Sequence, residues 1–337
     1  PMDTSSSRIS AYGYVSEREE VAVTAVPAIV LPSVDDETAD GLLVGRDWLQ
    51  EIVEMLQAKR QVIFYGPPGT GKTFLAQKLA EFLANDGSYK LVQFHPSYSY
   101  EDFIEGFRPK VNPDGSMIYE LKPGPLIELA EAARANPEDP YFLLIDEINR
   151  GNLAKIFGEL YYLLEYRGES LVLQYGSGGD DEFSLPKNLF VIGTMNTADR
   201  SIAMVDAAIR RRFYFVEFSP TEPPIGDMLR RWLAKKRFDE RPALLLDELN
   251  RRLDDADYAI GPSYLMTDRI HDDAELKRVW KHGIMPLLAE HFYGQRDVEE
   301  RFGLDTIQSA VGHGVEDREG GVDDGQGPAV VEDNLET

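Results

Sequence analysis

The sequence predicts an α/β fold, in which a parallel sheet covered by helices on both faces is followed by a small all-α domain. Three observations indicate this class. Short apolar runs alternate with helical patterns from residue 42 to about residue 218. A glycine-rich turn joins the first of these runs to a helix. After a proline-rich break at residues 219–224, the pattern is helical with little strand character.

The first predicted strand, Gln61–Tyr65, leads into a glycine-rich turn and then into a helix over Phe74–Leu83. The turn fits the pattern G-x-x-x-x-G-K-[ST] at every fixed position, with Gly66, Pro67, Pro68, Gly69, Thr70, Gly71, Lys72 and Thr73. Its backbone N–H groups and the following helix N-terminus suit a phosphate chain. We expect Lys72 to reach the β- and γ-phosphates and the Thr73 hydroxyl to bind Mg²⁺. The alternative is a glycine-rich turn without a ligand.

The second predicted strand, Tyr141–Ile145, ends in Asp146 and Glu147. These two carboxylates therefore lie at the carboxyl edge of a parallel sheet, where ligands bind in open α/β folds. Asp146 fits a Mg²⁺ ligand, and Glu147 fits the general base that orients and deprotonates an attacking water. The alternative is an acidic helix N-terminus that caps its own dipole. The phosphate-binding loop upstream argues against that alternative.

The third predicted strand, Leu189–Thr194, brings Asn196 to the same edge of the sheet. Its side-chain amide is a neutral donor suited to a γ-phosphate or to the attacking water. Further along the chain stand Arg210, Arg211 and Arg212. A guanidinium here could reach a phosphate bound to a neighbouring subunit. The alternative is a basic helix end that pairs with its own dipole.

The order of these motifs resembles the AAA+ NTPases, and specifically the McrB branch, the GTP-hydrolysing motors of modified-cytosine restriction systems. Besides the phosphate-binding loop, the resemblance rests on QFHPSYSYEDF at 93–103, DEINRGN at 146–152, MNTADRS at 195–201 and AIRRRF at 208–213. A phosphate-binding loop alone would be weak evidence for this branch, whereas the ordered set is specific. The resemblance covers about residues 42–305.

The resemblance implies roles for individual residues. Lys72 and Thr73 match the phosphate-loop residues of the family, and Asp146 matches its Mg²⁺ ligand. Glu147 matches the catalytic carboxylate, and Asn196 the γ-phosphate sensor. The fold implied is a P-loop AAA+ module with a helical lid.

The resemblance also implies an assembly. Arg211 and Arg212 match the arginine-finger position, with Arg211 favoured, although the run of three arginines leaves open which side chain crosses the interface. The family forms homo-oligomeric rings, here expected to be hexamers, with arginine fingers acting in trans. The expected partner is a McrC-like nuclease subunit that takes part in DNA restriction and phage defence.

We expect five segments along the 337 residues. Residues 1–41 are a partly disordered extension, in which Glu20–Leu31 has a Val-rich pattern typical of an edge strand or a docking segment. Residues 42–218 are the αβ nucleotide-binding core, 219–224 the linker and 225–305 the lid. Residues 306–337 are an acidic tail, which we expect to be disordered because residues 311–337 hold eight acidic residues, one basic residue and six glycines.

Three smaller segments add expectations. The stretch 165–185 predicts a hairpin with a glycine-rich tip, which the resemblance implies faces a central pore. The aromatic residues Tyr98, Tyr100 and Phe103 either pack against the core or face a partner. Residues 260–266 of the lid contain no arginine, so backbone groups or Ser263 would approach the nucleotide there. Asp199 is either a guanine contact or a helix cap.

The composition limits the possible functions. With 35 basic and 59 acidic residues, the net charge of −24 opposes indiscriminate binding to a phosphate backbone. We therefore expect DNA to be contacted only indirectly or through a separate reader, since only about 40 residues precede the motor. No apolar run approaches 18 residues, and the first 20 residues lack a secretory pattern. There are no cysteines, so we expect a cytoplasmic protein without disulfides.

We therefore expect a Mg²⁺-dependent nucleoside triphosphatase whose active site is completed between subunits. The substrate is GTP or ATP; GTP follows from the resemblance alone, because phosphate-loop residues contact phosphates and not purines. Three functions remain open: a restriction-type GTPase motor, an AAA+ ATPase that remodels a protein partner, and a nucleotide-gated assembly module with little turnover. Glu147 and the arginines argue against the third.

Overall fold

The computed structural model describes residues 29–84, 88–176, 182–198 and 207–319, with backbone only from residue 313. The strands are β1 (Gln61–Gly66), β2 (Tyr89–Gln93), β3 (Glu105–Val111), β4 (Met117–Pro123), β5 (Tyr141–Asp146), β6 (Leu171–Val172), β7 (Glu182–Phe183), β8 (Leu189–Asn196) and β9 (Tyr214–Glu217). The first eight helices are α1 (Asp36–Gly41), α2 (Arg46–Lys59), α3 (Lys72–Leu83), α4 (Tyr100–Phe103), α5 (Pro125–Ala135), α6 (Leu153–Phe157), α7 (Leu160–Glu165) and α8 (Ala207–Arg212).

The remaining helices form the C-terminal part of the described chain. They are α9 (Met228–Lys236), α10 (Arg241–Leu253), α11 (Asp273–Val279), α12 (Met285–His291), α13 (Val298–Phe302) and α14 (Leu304–Glu319). Short 3₁₀ turns cover Ile148–Arg150 and Pro262–Leu265. A π-helical turn, Trp280–Ile284, joins α11 to α12.

Within the described residues, five strands form one sheet in the order β2-β5-β8-β1-β9. Every neighbouring pair is parallel, so the carboxyl ends of the strands share one edge. The register pairs Gly66 with Asn196 and Gln93 with Asp146. The α/β class, the parallel sheet and the helical domain that follows it confirm the predicted fold.

The central strands are apolar because helices cover both faces of the sheet. Val62 and Phe64 of β1 pack in the cluster that contains α2 and α3, whereas Ile63 between them packs in the opposite cluster with α5, α6 and α7. This alternation follows from the two-residue period of a strand. It holds the loop after β1 on a rigid support.

The segment before α1 docks on α2. Leu31 and Val34 are buried in the same cluster as α2. The side-chain amide of Gln57 accepts from the Leu31 N–H (2.8 Å) and donates to the Ile29 carbonyl (2.7 Å). The core therefore begins before the expected boundary at residue 42. The described end of the Val-rich run docks on a helix, and its residues before Ile29 lie outside the described chain.

The lid, α9–α14, has its own core. Helix α10 runs without interruption from Arg241 to Leu253, whereas the π-helical turn Trp280–Ile284 lies between α11 and α12. Helix α14 crosses the expected boundary at residue 305, with Leu304 and Ile307 buried in the lid. The expected disorder is therefore corrected for residues 306–312, because apolar residues at helical spacing bind this segment to the lid. The backbone of α14 continues to Glu319. Residues 320–337 lie outside the described chain.

Two antiparallel hairpins extend the core. Strands β6 and β7 pair Leu171 with Phe183, as expected, but with only two residues each; the tip at 177–181 lies outside the described residues. The hairpin β3–β4, inserted between α4 and α5, was not predicted. Tyr100 and Phe103 are buried, which supports core packing for these two aromatic residues. None of the described helices is both long and apolar enough to cross a bilayer.

Candidate active site

The loop after β1 surrounds a cavity of about 210 Å³ at the carboxyl edge of the sheet. Gly69 and Gly71 have φ values of 80° and 84°, which glycine adopts without steric strain. Gly66 faces the backbone of Phe218, and a Cβ at this position would lie 2.5 Å from the Phe218 carbonyl oxygen. The glycines are therefore required by the path of the loop. The cavity opens on Lys72 and on the start of α3.

Lys72 is only 6% exposed and is held by the loop itself. Its Nζ donates to the carbonyl oxygens of Gly66 (2.9 Å) and Pro67 (2.7 Å) and to Thr70 Oγ1 (3.2 Å). Burial lowers the pKa of Lys72 to about 8, although nearby carboxylates partly oppose this shift. A phosphate bound beside this ammonium would favour its charged form.

Thr73 and Asp146 meet at the same edge, as predicted for a Mg²⁺ site. Thr73 Oγ1 donates to Asp146 Oδ1 (2.7 Å), and Thr194 Oγ1 donates to the same oxygen (2.6 Å). Gln93 Nε2 is 3.4 Å from Asp146 Oδ2. A hydroxyl oxygen next to a carboxylate oxygen is the kind of ligand pair that Mg²⁺ prefers. These residues therefore fit the ion that the sequence predicts.

Glu147 is held in a specific orientation. Its backbone is left-handed, with φ 53° and ψ 46°, a conformation that is uncommon for residues other than glycine and that clusters at functional sites. Asn196 Nδ2 donates to Glu147 Oε1, and Arg150 Nε lies 3.4 Å from Oε2. The Glu147 N–H donates to Thr194 Oγ1 (3.3 Å). The carboxylate therefore lies between an amide and a guanidinium.

Asn196 ends β8 and is also tied to the loop. Its carbonyl accepts from Asn149 Nδ2 (3.3 Å), and the next residue, Thr197, donates its N–H to the Gly66 carbonyl (3.1 Å). The side chain of Asn196 lines the cavity together with Lys72 and Thr73. The three strand ends predicted to converge are thus joined by direct hydrogen bonds.

The three arginines lie near the amino ends of the strands, whereas the phosphate-binding loop lies at the carboxyl ends. They end α8, and the Arg212 carbonyl accepts from the side chain of Gln61, the first residue of β1 (2.8 Å). Strand β9 then runs parallel to β1, with Tyr214 opposite Val62. Because the strand rises about 3.3 Å per residue, the end of α8 is roughly 17 Å from Gly66 at the other end of β1. The backbone at the end of α8 is therefore distant from the phosphate-binding loop of its own chain, whereas the Arg210 guanidinium extends over the Phe215 ring, beside Tyr65.

Arg211 and Arg212 have different surroundings. The side chain of Arg212 is 8% exposed; Nη1 donates to the Ala208 carbonyl (3.0 Å), Nη2 is 3.0 Å from Glu165 Oε2, and the guanidinium lies over the Tyr161 ring. The side chain of Arg211 is 62% exposed, with Nη2 2.9 Å from the same Glu165 oxygen. Arg212 is thus buried and Arg211 exposed, which favours Arg211 as the residue that crosses an interface; the assignment stays a prediction.

The lid touches the phosphate-binding loop at Gly69. Ser263 donates its N–H to the Gly69 carbonyl (3.0 Å), and the Tyr264 ring lies against Gly69. Gly261 approaches so closely that a Cβ there would lie 2.1 Å from the Gly69 carbonyl carbon. The arginine-free segment 260–266 therefore contacts the loop mainly through backbone and an aromatic ring.

A second cavity, of about 350 Å³, lies between this loop and the lid. It is lined by Pro68, Ala198, Tyr258, Ala259, Ile260, Tyr264, Leu287, Leu288, Glu290 and His291. Tyr258 stacks on His291 with ring centroids 3.5 Å apart. Pro68 also lines the smaller cavity, so the two adjoin. A mostly apolar, aromatic lining suits a planar ligand.

Asp199, considered above for guanine, lies outside the described residues.

Sequence reasoning assigned no site role to Thr194, Arg150 or Gln93. Thr194 bridges Asp146 and Glu147, and its position at the carboxyl end of an apolar strand was the available signal. Arg150 follows Glu147 by three residues, a spacing that a single 3₁₀ turn brings together. Gln93 ends β2, the strand beside β5, which only the strand order reveals.

Comparisons with known proteins identify both domains. Residues 61–213 match the AAA domain (dynein-related subfamily), and residues 241–299 match the McrB alpha-helical lid domain. The chain is 36% identical over 277 residues to the Type IV methyl-directed restriction enzyme EcoKMcrB subunit of Escherichia coli (strain K12). That match covers 77% of this chain and 59% of the relative's length.

Two other relatives are more distant. The Type II restriction enzyme BsuMI component YdiS of Bacillus subtilis (strain 168) is 26% identical over 298 residues, or 75% of this chain and 84% of the relative. Neuron navigator 2 of Homo sapiens is 25% identical over 318 residues, or 84% of this chain and 11% of the relative. Similarity therefore extends over most of the described chain in all three cases.

Proposed function

The chain belongs to the McrB branch of the AAA+ NTPases, and we propose that it hydrolyses a nucleoside triphosphate at a site shared between neighbouring copies. The single observation that carries this proposal is the convergence of five side chains at one sheet edge: Lys72, Thr73, Asp146, Glu147 and Asn196. Thr73 contacts Asp146, Asn196 contacts Glu147, and Lys72, Thr73 and Asn196 line one cavity. Groups suited to phosphate, to Mg²⁺ and to a proton would therefore lie close together, as phosphoryl transfer requires.

The nucleotide would occupy the two adjoining cavities. The phosphates would lie in the smaller cavity, against the loop N–H groups and Lys72. The base and sugar would lie in the larger cavity beneath the lid, where Tyr258 and Tyr264 offer aromatic surface. Binding would therefore join the core to the lid.

Hydrolysis would be an in-line attack of water on the γ-phosphate. Glu147 would accept the proton of the water, with Asn196 and Arg150 holding its carboxylate. Thr73 and Asp146 would hold Mg²⁺, which on binding supplies positive charge to the phosphate oxygens. Lys72 would neutralise charge on the β- and γ-phosphates, and Arg211 of a neighbouring copy would stabilise charge that develops in the transition state.

Contact between the lid and the loop gives a first testable consequence. Gly261→Ala is expected to weaken nucleotide binding, because its Cβ would overlap the Gly69 backbone and separate the lid from the loop. Overpacking of this kind costs about 1–3 kcal/mol, equivalent to about 5- to 150-fold in Kd. Titration with a fluorescent nucleotide measures the effect. The control is Gly283→Ala in the same lid, where an added Cβ meets no atom nearer than 3.9 Å. Equal Kd values for the two variants would contradict this prediction.

We further propose that the chain is the motor of a restriction system. Two relatives are named as components of restriction enzymes, which supports a role in such a system. From the family resemblance we propose a nuclease subunit resembling McrC as the partner and a cytoplasmic hexameric ring as the assembly. The net charge of −24 opposes binding to a DNA backbone by this chain itself. DNA would therefore be reached through a reader or through the partner.

The test is steady-state hydrolysis of GTP and of ATP, each with Mg²⁺, over a range of protein concentrations, with chelation of the metal as the control. Specific activity that rises with protein concentration supports a shared site, and a preference for GTP supports the restriction motor. A preference for ATP favours a protein-remodelling ATPase instead. Negligible turnover of both nucleotides at every concentration, with or without DNA, overturns the proposal.

A further inference from the structure

Glu165 contacts two arginines with one oxygen. It is the last residue of α7, and its Oε2 lies 2.9 Å from Arg211 Nη2 and 3.0 Å from Arg212 Nη2. The Glu165 side chain is 33% exposed, between the values for the two arginines. One carboxylate thus joins a buried guanidinium to an exposed one.

The helix ends that carry Glu165 and the arginines are fixed by hydrogen bonds to Gln61. The buried side chain of Gln61 donates both to the Leu164 carbonyl (2.9 Å) and to the Arg212 carbonyl (2.8 Å), so it ties the end of α7 to the end of α8. Gln61 in turn accepts from Arg167 Nη2 (2.8 Å). Both helix ends are therefore fixed to the first residue of β1, the strand that leads to the phosphate-binding loop.

The two arginines of this cluster differ in how many of their N–H donors are used by contacts within the chain. The buried guanidinium of Arg212 contacts the Ala208 carbonyl, Glu165 and the Tyr161 ring. Arg211 has five N–H donors, of which the contact with Glu165 uses only part. An exposed arginine samples many rotamers, and a fixed carboxylate restricts them before a phosphate arrives.

We propose that Glu165 is a positioning residue that orients Arg211 toward the nucleotide of a neighbouring copy, with Arg212 as the buried anchor of the cluster. This inference rests on the proposed function, because Arg211 acts on a second copy. The opposite possibility is a restraint, in which Glu165 keeps Arg211 away from the phosphate. The two predict opposite effects when the charge of Glu165 is removed.

The experiment mixes two inactive chains. A Glu147→Gln chain cannot activate water but still supplies Arg211; an Arg211→Ala chain keeps an intact site but supplies no arginine. Their mixture recovers turnover if the site is shared. Glu165→Gln is then added either to the chain that supplies the arginine or to the chain that supplies the site.

We expect kcat of the mixture to fall on the order of tenfold when Glu165→Gln is in the arginine-supplying chain, by analogy with outer groups that orient metal ligands. We expect kcat to stay unchanged when it is in the site-supplying chain, and KM to stay unchanged in both. Glu165→Asp in the arginine-supplying chain should recover part of the loss, because it keeps the charge. Glu169→Gln, at an exposed glutamate four residues further on, is the matched control.

The outcomes are distinct. An equal loss in both placements means that Glu165 is merely structural, and an unchanged or higher kcat in the first placement means that it restrains Arg211; each overturns the proposal. If the mixture without any change at Glu165 fails to recover turnover, the shared site is wrong and the role of Glu165 falls with it. The placement comparison thus separates the two failures.

Discussion

Arg211→Ala is expected to lower kcat by about 10³- to 10⁵-fold, the range for arginine fingers in related hydrolases. The physical reason is its position: Arg211 is exposed at the end of β1 opposite the phosphate-binding loop, so in the proposed assembly it would act on the nucleotide of a neighbouring copy. Nucleotide binding by its own chain should persist, because Lys72 and the loop are untouched. Steady-state kcat and Kd for a fluorescent nucleotide measure both quantities.

Arg212→Ala is the matched control for this prediction. It removes the contacts with Glu165, Ala208 and Tyr161 in a buried position, so the main effect should be a loss of about 1–3 kcal/mol in the free energy of unfolding. Wild-type turnover by Arg211→Ala would show that Arg211 is not the finger, and wild-type turnover by the Arg211→Ala/Arg212→Ala double variant would refute the shared site. Loss of turnover by Arg212→Ala at unchanged stability would assign the finger to Arg212 instead.

Glu147→Gln is the second large effect: kcat should fall by about 10²- to 10⁴-fold, as expected when a general base is removed. Glutamine keeps the shape of the side chain and can still contact Asn196, but it cannot accept the proton of water. Nucleotide affinity should be preserved, because the phosphate contacts of Lys72 and the loop are unchanged.

Single-turnover hydrolysis and nucleotide binding, measured on the same protein, test this role. Glu169→Gln serves again as the neutralised glutamate away from the site and should match the wild type. If Glu147→Gln loses nucleotide binding together with turnover, then Glu147 supports the structure of the site and is not the base. If it turns over at the wild-type rate, another group must activate the water.

The strands that build the site were predictable from local pattern. The runs that became β1, β5 and β8 are short, apolar and followed by polar or glycine-rich turns, and burial on both faces imposes that composition. The position of Lys72, Thr73, Asp146, Glu147 and Asn196 at one edge then follows from the parallel direction of the strands. Each of these residues can be recognised from its own segment of the sequence, and the parallel sheet brings the segments together at one edge.

Other parts required long-range contacts. The acidic composition after residue 305 indicated disorder, yet burial of Ile307 in the lid holds α14 in place as far as it is described. The hairpin β3–β4 was missed because its strands are mostly exposed and mixed in polarity, so no buried apolar run marks them, and their register depends on pairing across a turn. Arg150 and Gln93 gained site roles only through the strand order and the turn after β5.

The sequence by itself determined that this chain has a phosphate-binding loop, two acidic residues and an asparagine after buried strands, because spacing and apolar runs are local properties of the chain. Only the tertiary structure distinguished the surroundings of Arg211 from those of Arg212. Neighbouring residues on a helix point about 100° apart, so one guanidinium meets Tyr161 and the interior while the other remains exposed beside Glu165. Identical side chains thus acquire different exposure and different contacts from the surfaces packed around α8.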